Sequence, residues 1–187
     1  MKETVPEHIA HNLDILQENI IHYNPVAARV IQLAETLDFG EWPARSRGHL
    51  AIPGGLVIHS VETAMLMMKL HRAVDPGFRK IPPYSVMLVG LFHDLGKCGV
   101  EKYPYFEVGA RGEGSWKISH MGKKEGHAAF GLSLFERAGV ELSKAEYVAI
   151  AKHGYNKKDP AGRGEPLARL LCFANLWANG LHEVAKP

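Results

Sequence analysis

Cysteine is scarce: Cys98 and Cys172 are the only two, and they form neither a CxxC pair nor a disulfide framework. That argues against a cysteine-held structural zinc and against a disulfide-stapled fold, leaving two reduced thiols. Long apolar runs are lacking as well, so no segment is expected to span a bilayer. Charge is nearly balanced, 22 Lys and Arg against 20 Asp and Glu. No strong net field therefore draws duplex nucleic acid or a membrane surface as a bulk partner. Repeats and low-complexity segments are absent. The opening MKETVPEHIAHNLD is polar and of mixed charge, unlike a signal peptide, so the expected location is cytoplasmic. With 46% apolar and 22% charged residues, the chain is expected to form one domain over residues 1–187, enough for a sizeable core. What is plentiful is histidine, at eleven.

The hydrophobic pattern is helical almost throughout, which predicts an all-α fold. Thr4, Pro6 and Glu7 read as a capping box with proline in the first turn, opening a helix that runs to about Ile21. Asn24-Pro25 restarts the chain into a second helix carrying Val26, Val30, Leu33 and Leu37 and stopping near Gly40. Residues 41–55 read as an irregular, partly basic loop with Arg45, Arg47 and His49, closed by Pro53, Gly54 and Gly55. A third helix, from 56 to about 72, is apolar on two sides. It is therefore central, and His59 points inward. Residues 101–125 lose helical periodicity, and YFEV and SWKI on either side of GARGEG read as a short β-hairpin or extended flap insertion. His127 opens the next helix, which Gly139 ends. Ser143 to Glu146 is a second capping box, opening a helix that finishes near His153. Pro166 starts the last helix, with Leu167, Leu170, Leu171 and Ala174 inward and Asn175 next in line.

The chain is organised around residues 85–99, SVMLVGLFHDLGKCG. Apolar residues surround this predicted helix, and a buried, unpaired Asp there would cost several kcal/mol. Asp94 needs a partner. His93 and Asp94 read as adjacent metal ligands, with Lys97 one turn later as an anion contact. His59, His93-Asp94, His127, His153 and Asn175 each fall on a different predicted helix or helix end, among apolar neighbours. A helical bundle directs such residues into one cavity. Imidazole and carboxylate suit Zn, Fe, Mn, Ni or Co, with Mg admissible where carboxylate and water dominate.

In order, PGGLVIHS, LVGLFHDLGK, KKEGHAAFG, AIAKHGY and FANLWA resemble the successive motifs of the HD-domain metal-dependent phosphohydrolases. The nearest resemblance is to small bacterial and phage HD proteins related to the HD-domain 3′–5′ exoribonucleases. It covers residues 51–180, a motif-bearing core preceded by N-terminal helices and a loop over 1–50. The resemblance implies an HD-type helical bundle with His59, His93 and Asp94 as ligands of a first divalent ion. It implies His127 and His153 as holders of a second ion in binuclear members, and Lys97 as a basic residue beside substrate phosphate. One position departs: the family closes its site with an aspartate in the last helix, where this chain has Asn175, a neutral and weaker ligand.

The implied activity is phosphomonoester or phosphodiester hydrolysis of a nucleotide or short oligonucleotide, by water that one or two dications activate. Asp94 would double as general base. Lys97, with Arg111, Lys123 or Lys124 from the flap, would neutralise charge on the phosphoryl oxygens. Trp116, Tyr103 or Tyr105 would stack a base. Two other outcomes are a mixed-valent diiron oxygenase on a related scaffold, and a nucleotide-binding protein whose turnover is lost through Asn175.

Overall fold

The computed structural model describes residues 5–48, 50–73, 80–100, 103–110, 115–153 and 165–181. Those residues form eight α-helices and one two-stranded hairpin, so the all-α reading with a small β insertion holds. Helix α1 (Glu7–Tyr23) follows Pro6, which takes the N-cap position without a side-chain cap; the expected capping residue, Thr4, lies outside the described residues. Asn24 ends α1 and caps a short 3₁₀ turn, Pro25–Ala27, its Oδ1 accepting from Val26 N at 3.2 Å. Its Nδ2 donates to Tyr84 Oη at 2.9 Å, tying this corner to a later helix. Helix α2 (Ala28–Thr36) is followed by turns and the loop to residue 54.

Helices α3 (Gly55–Ala73) and α4 (Pro83–Phe92) form the centre. Every residue of α4 from Ser85 to Phe92 is buried. Fully buried Leu88, Leu91 and Phe92 each contribute about 2 kcal/mol through removal from water. The two helices cross closely at Gly90, where a Cβ would lie 2.6 Å from Ala64 Cα. Only hydrogen fits there. Helix α1 packs on both α3 and α4, and α8 (Pro166–Leu181) covers α3 and α7 (Lys144–Lys152). Helix α7 opens with the expected capping box: Ser143 N donates to Glu146 Oε2 at 2.7 Å, and Glu146 N donates to Ser143 Oγ at 3.3 Å.

The chain departs from its predicted course at residue 93. The α-helix stops at Phe92, and Leu95–Cys98 forms a separate 3₁₀ turn. Between them Asp94 sits at φ −103°, ψ 9°, in the sparsely populated bridge region. The hairpin pairs β1 (Phe106–Val108) antiparallel with β2 (Trp116–Ile118), Glu107 opposite Lys117. Residues expected to extend the flap instead form a short helix, α5 (His120–Glu125), whose N-cap Ser119 accepts from Gly122 N at 2.9 Å. Helix α6 (His127–Arg137) follows, and Gly139 closes it at φ 64°. Tyr105, Phe106 and Phe130 form a second small core against Trp42 and Trp116, fixing the hairpin to α6.

Candidate metal centre

Adjacent residues on a continuous helix point about 100° apart and do not meet. The break after Phe92 removes that constraint. His93 remains helical while Asp94 turns back, and His93 Nε2 comes within 3.3 Å of Asp94 Oδ2. Helix α3 brings His59 Nε2 to 3.5 Å from the same oxygen, a juxtaposition that follows from the close crossing at Gly90. On the other side the 3₁₀ turn lies against α6. A Cβ on Gly96 would stand 1.9 Å from the His127 carbonyl oxygen, so glycine permits the approach. That contact sets His127 Nε2 3.2 Å from Asp94 Oδ1, and His153, at the end of α7, sets its Nε2 3.1 Å from it. One carboxylate thus stands at the centre of two triads: His59, His93 and Asp94, and Asp94, His127 and His153.

The backbone orients two of the rings. Nδ1 of His93 lies 2.9 Å from the Gly90 carbonyl, and Nδ1 of His153 lies 2.6 Å from the Ile150 carbonyl. A carbonyl only accepts, so each ring carries a proton on Nδ1, and His93, kept neutral by burial, turns its Nε2 lone pair to Asp94. Metal-ligating histidines are held this way. His127 Nδ1 is 3.4 Å from the Tyr105 hydroxyl. Nε2 of His93 is buried without a hydrogen-bond partner among the described residues, as is Nδ1 of His59.

Burial lowers the pKa of His59 and of His127 from 6.5 to about 3, against the pull of Asp94. Burial lowers His93 too. For Asp94 burial acts the other way, but Lys97, His93 and a hydrogen bond from His153 outweigh it and hold the carboxyl well below its ordinary range. The carboxylate is 2% exposed, and its nearest cation is the Lys97 ammonium, 2.5 Å from Oδ2. The site is therefore an ionised carboxylate approached by four imidazole Nε2 atoms, of which burial keeps the rings of His59, His93 and His127 neutral. Lone pairs facing a carboxylate repel unless a cation or shared proton lies between them, and the donor set fits a divalent transition metal.

The structure brings together five of the sequence-predicted ligands and Lys97. Asn175 is half-buried on α8, where its Oδ1 accepts from Asn179 Nδ2 at 3.0 Å. Asn179 Oδ1 in turn accepts from Arg45 at 2.7 Å. Lys123 and Lys124 are exposed on α5, and Lys124 pairs with Glu125 at 3.4 Å. Trp116 is half-buried on β2, Tyr103 is exposed, and Arg111 and His49 lie outside the described residues. Tyr105, expected to stack a base, is buried; its role here is contact with His127, which the sequence reading missed. The carbonyls of Gly90 and Ile150 were missed too. Both lie three residues before a predicted ligand at a helix end, and that spacing is the signal that would have found them.

Comparison of the chain with protein-family models, with curated proteins and with solved structures gave no match.

Proposed function

We propose that this chain is an HD-domain-type, metal-dependent phosphohydrolase acting on a nucleotide or short phosphodiester. The observation that carries the reading is the single carboxylate of Asp94, approached on Oδ2 by His59 and His93 and on Oδ1 by His127 and His153. The order His, His-Asp, His, His along the chain is that of the resemblance, and supports the same reading. His59, His93 and Asp94 would hold a first ion, with Asn175 as a further candidate ligand through its amide oxygen, and Asp94, His127 and His153 would hold a second. Bound dications supply a lowered pKa to water and polarise a phosphoryl oxygen.

The chain's own residues do the rest. Asp94 stays ionised at working pH and would accept a hydrogen bond from the attacking water, orienting it for the new P–O bond, while the proton that water gives up passes to the oxygen leaving phosphorus. Lys97, whose side chain is 15% exposed, lies between the buried carboxylate and the surface and neutralises charge on the phosphoryl oxygens. Leu91, Phe92 and Leu95, which flank His93 and Asp94 in the chain, are fully buried, so the ligand pair sits in a segment of low local dielectric that strengthens both effects.

The test is elemental analysis of the purified protein followed by a nucleotide and phosphodiester panel with manganese, nickel, cobalt and magnesium. Metal uptake with phosphate release, abolished in His93→Ala and Asp94→Ala, is the expected result. Iron with oxygen consumption and no phosphate release overturns it in favour of an oxygenase. Tight nucleotide binding without product overturns it in favour of a binding protein.

A further inference from the structure

We propose that α8 carries a homodimer interface: Phe173, Leu176 and Trp177 pack against the same stretch of a second copy, the two helices running antiparallel about a two-fold axis between residues 176 and 177. The proposal is independent of the metal chemistry. It starts from a helix that is apolar on opposite sides, as a buried helix is. From Leu170 to Leu181 α8 carries no charged residue. On one side Leu167, Leu171, Ala174 and Ala178 are buried, where α8 covers α3 and α7. On the other side Phe173, Leu176 and Trp177 are 55, 56 and 57% exposed.

Residues three and four apart are neighbours on a helix surface, so the three large side chains form one continuous patch rather than scattered exposures. With Gly180 they fall within about 100° of arc. Asn175 and Asn179 stand on a separate flank, where they bond to each other and Asn179 accepts from Arg45, so covering the stripe leaves that network in place. At these exposures Phe173 and Trp177 alone leave roughly 170–280 Å² in water. A standard interface covers about 800 Å² on each partner. The two aromatics supply roughly a quarter to a third of that, the share that central anchors take.

Charge, order and shape select a second copy as the occupant. A contact about a two-fold axis sets a surface against itself, so any charge near the axis meets its own like. This stretch has none, and for the same reason it offers an acidic or basic partner no counter-charge. The order is symmetric: the spacing from Phe173 through Leu176 and Trp177 to Gly180 is the same read from either end. In one register, therefore, an antiparallel copy sets Leu176 against Trp177 and Phe173 against Gly180. Gly180 suits that place. A Cβ there meets nothing within 4 Å, which leaves a notch beside the helix for a phenyl ring.

The test follows the full chain by sedimentation equilibrium across a concentration series. The expected result is reversible association to twice the 20.7 kDa of one chain, with a dissociation constant on the order of micromolar for anchors of this size. Trp177→Glu should weaken the dimer at least about thirtyfold and Leu176→Ser at least about tenfold, since each substitution enters the interface twice. Gly180→Met separates register from mere adhesion. Filling the notch should weaken the dimer about tenfold, and Phe173→Ala in the same chain should recover part of the loss; surfaces that only adhere would gain from the added methionine. Unchanged circular dichroism and metal uptake establish that each variant folds. A chain that stays monomeric at every concentration overturns the proposal, and flotation of that monomer with phosphatidylcholine vesicles assigns the stripe to a lipid surface instead. Dimerisation unaffected by Trp177→Glu, or strengthened by Gly180→Met, overturns it too. Loss of folding in both Trp177→Glu and Leu176→Ser counts the same way, because the chain itself then covers the stripe.

Discussion

His127 and His153 bring their Nε2 atoms to 2.9 Å from one another, although they sit on different helices. With Asp94 Oδ1 3.2 and 3.1 Å away, the three atoms converge on a space that one proton or one cation fills. A dication at each triad should therefore stabilise the fold by mass action, about 2.7 kcal/mol per site at a hundredfold excess over Kd. His153→Ala should remove one of two equivalents and leave the triad of His59, His93 and Asp94 loaded. Asp94→Ala should remove both. Elemental analysis together with thermal unfolding, with and without added metal, checks this, and full loading of Asp94→Ala would sink the shared-carboxylate arrangement.

Gly96 and Gly131 face each other across the contact between the 3₁₀ turn and α6, yet they should respond oppositely to a methyl group. A Cβ on Gly96 meets the His127 carbonyl oxygen at 1.9 Å and Gly131 N at 2.4 Å, both backbone atoms that cannot step aside. A Cβ on Gly131 meets nothing closer than 3.4 Å. Gly96→Ala should cost about 1–3 kcal/mol or more through overpacking and push Asp94 away from His127, lowering metal affinity. Gly131→Ala, inside a helix, should be neutral or gain up to about 1 kcal/mol. Urea unfolding of the two variants separates them.

Stability of the metal-free protein should fall as pH falls through 6.5. The folded-state pKa values of His59 and His127 are lowered from 6.5 to about 3 by burial. Between those values the unfolded chain holds more protons than the folded one, so acid favours unfolding. Each histidine costs about 1.4 kcal/mol per unit below 6.5, or about 4 kcal/mol for both by pH 5. The lowered pKa of Asp94 acts in the same sense but only below its unfolded value of 3.8. Urea midpoints in EDTA at about pH 7.5, 6.5 and 5 test the slope, and a midpoint independent of pH contradicts burial of neutral rings.

Local chemistry made most elements legible in the sequence. The capping box of Ser143 and Glu146, the Asn24-Pro25 restart and the YFEV and SWKI strands are each specified within a few residues, and each forms as read. The ligand order was legible for a different reason: polar residues that recur on otherwise apolar helices have few uses. What stayed hidden depends on contacts between distant segments. Nothing local in LFHDLGKC breaks the helix after Phe92; the break makes room for Gly96 against α6. Tyr105 looked like a flap aromatic because its partner, Phe130, lies on α6, beyond the intervening α5.

Asn175→Asp is the substitution that most directly weighs the departure from the HD pattern. The Asn175 amide oxygen accepts from Asn179, which also accepts from Arg45, so this end of α8 is wired to a cation rather than to Asp94. A carboxylate has two oxygens: one keeps the bond to Asn179, and the other adds the missing negative charge to an N/O ligand set that has only Asp94 as its anion. Metal affinity should rise about tenfold or more, since one added charge close to a dication is worth upwards of about 1.4 kcal/mol even at a high effective dielectric. Competition with a chromogenic chelator measures it. An unchanged affinity, with the fold intact, removes Asn175 from the ligand set and assigns it to holding Asn179 and Arg45 in place. In that event Asn179→Ala, which frees the Asn175 side chain, should also leave metal affinity unchanged.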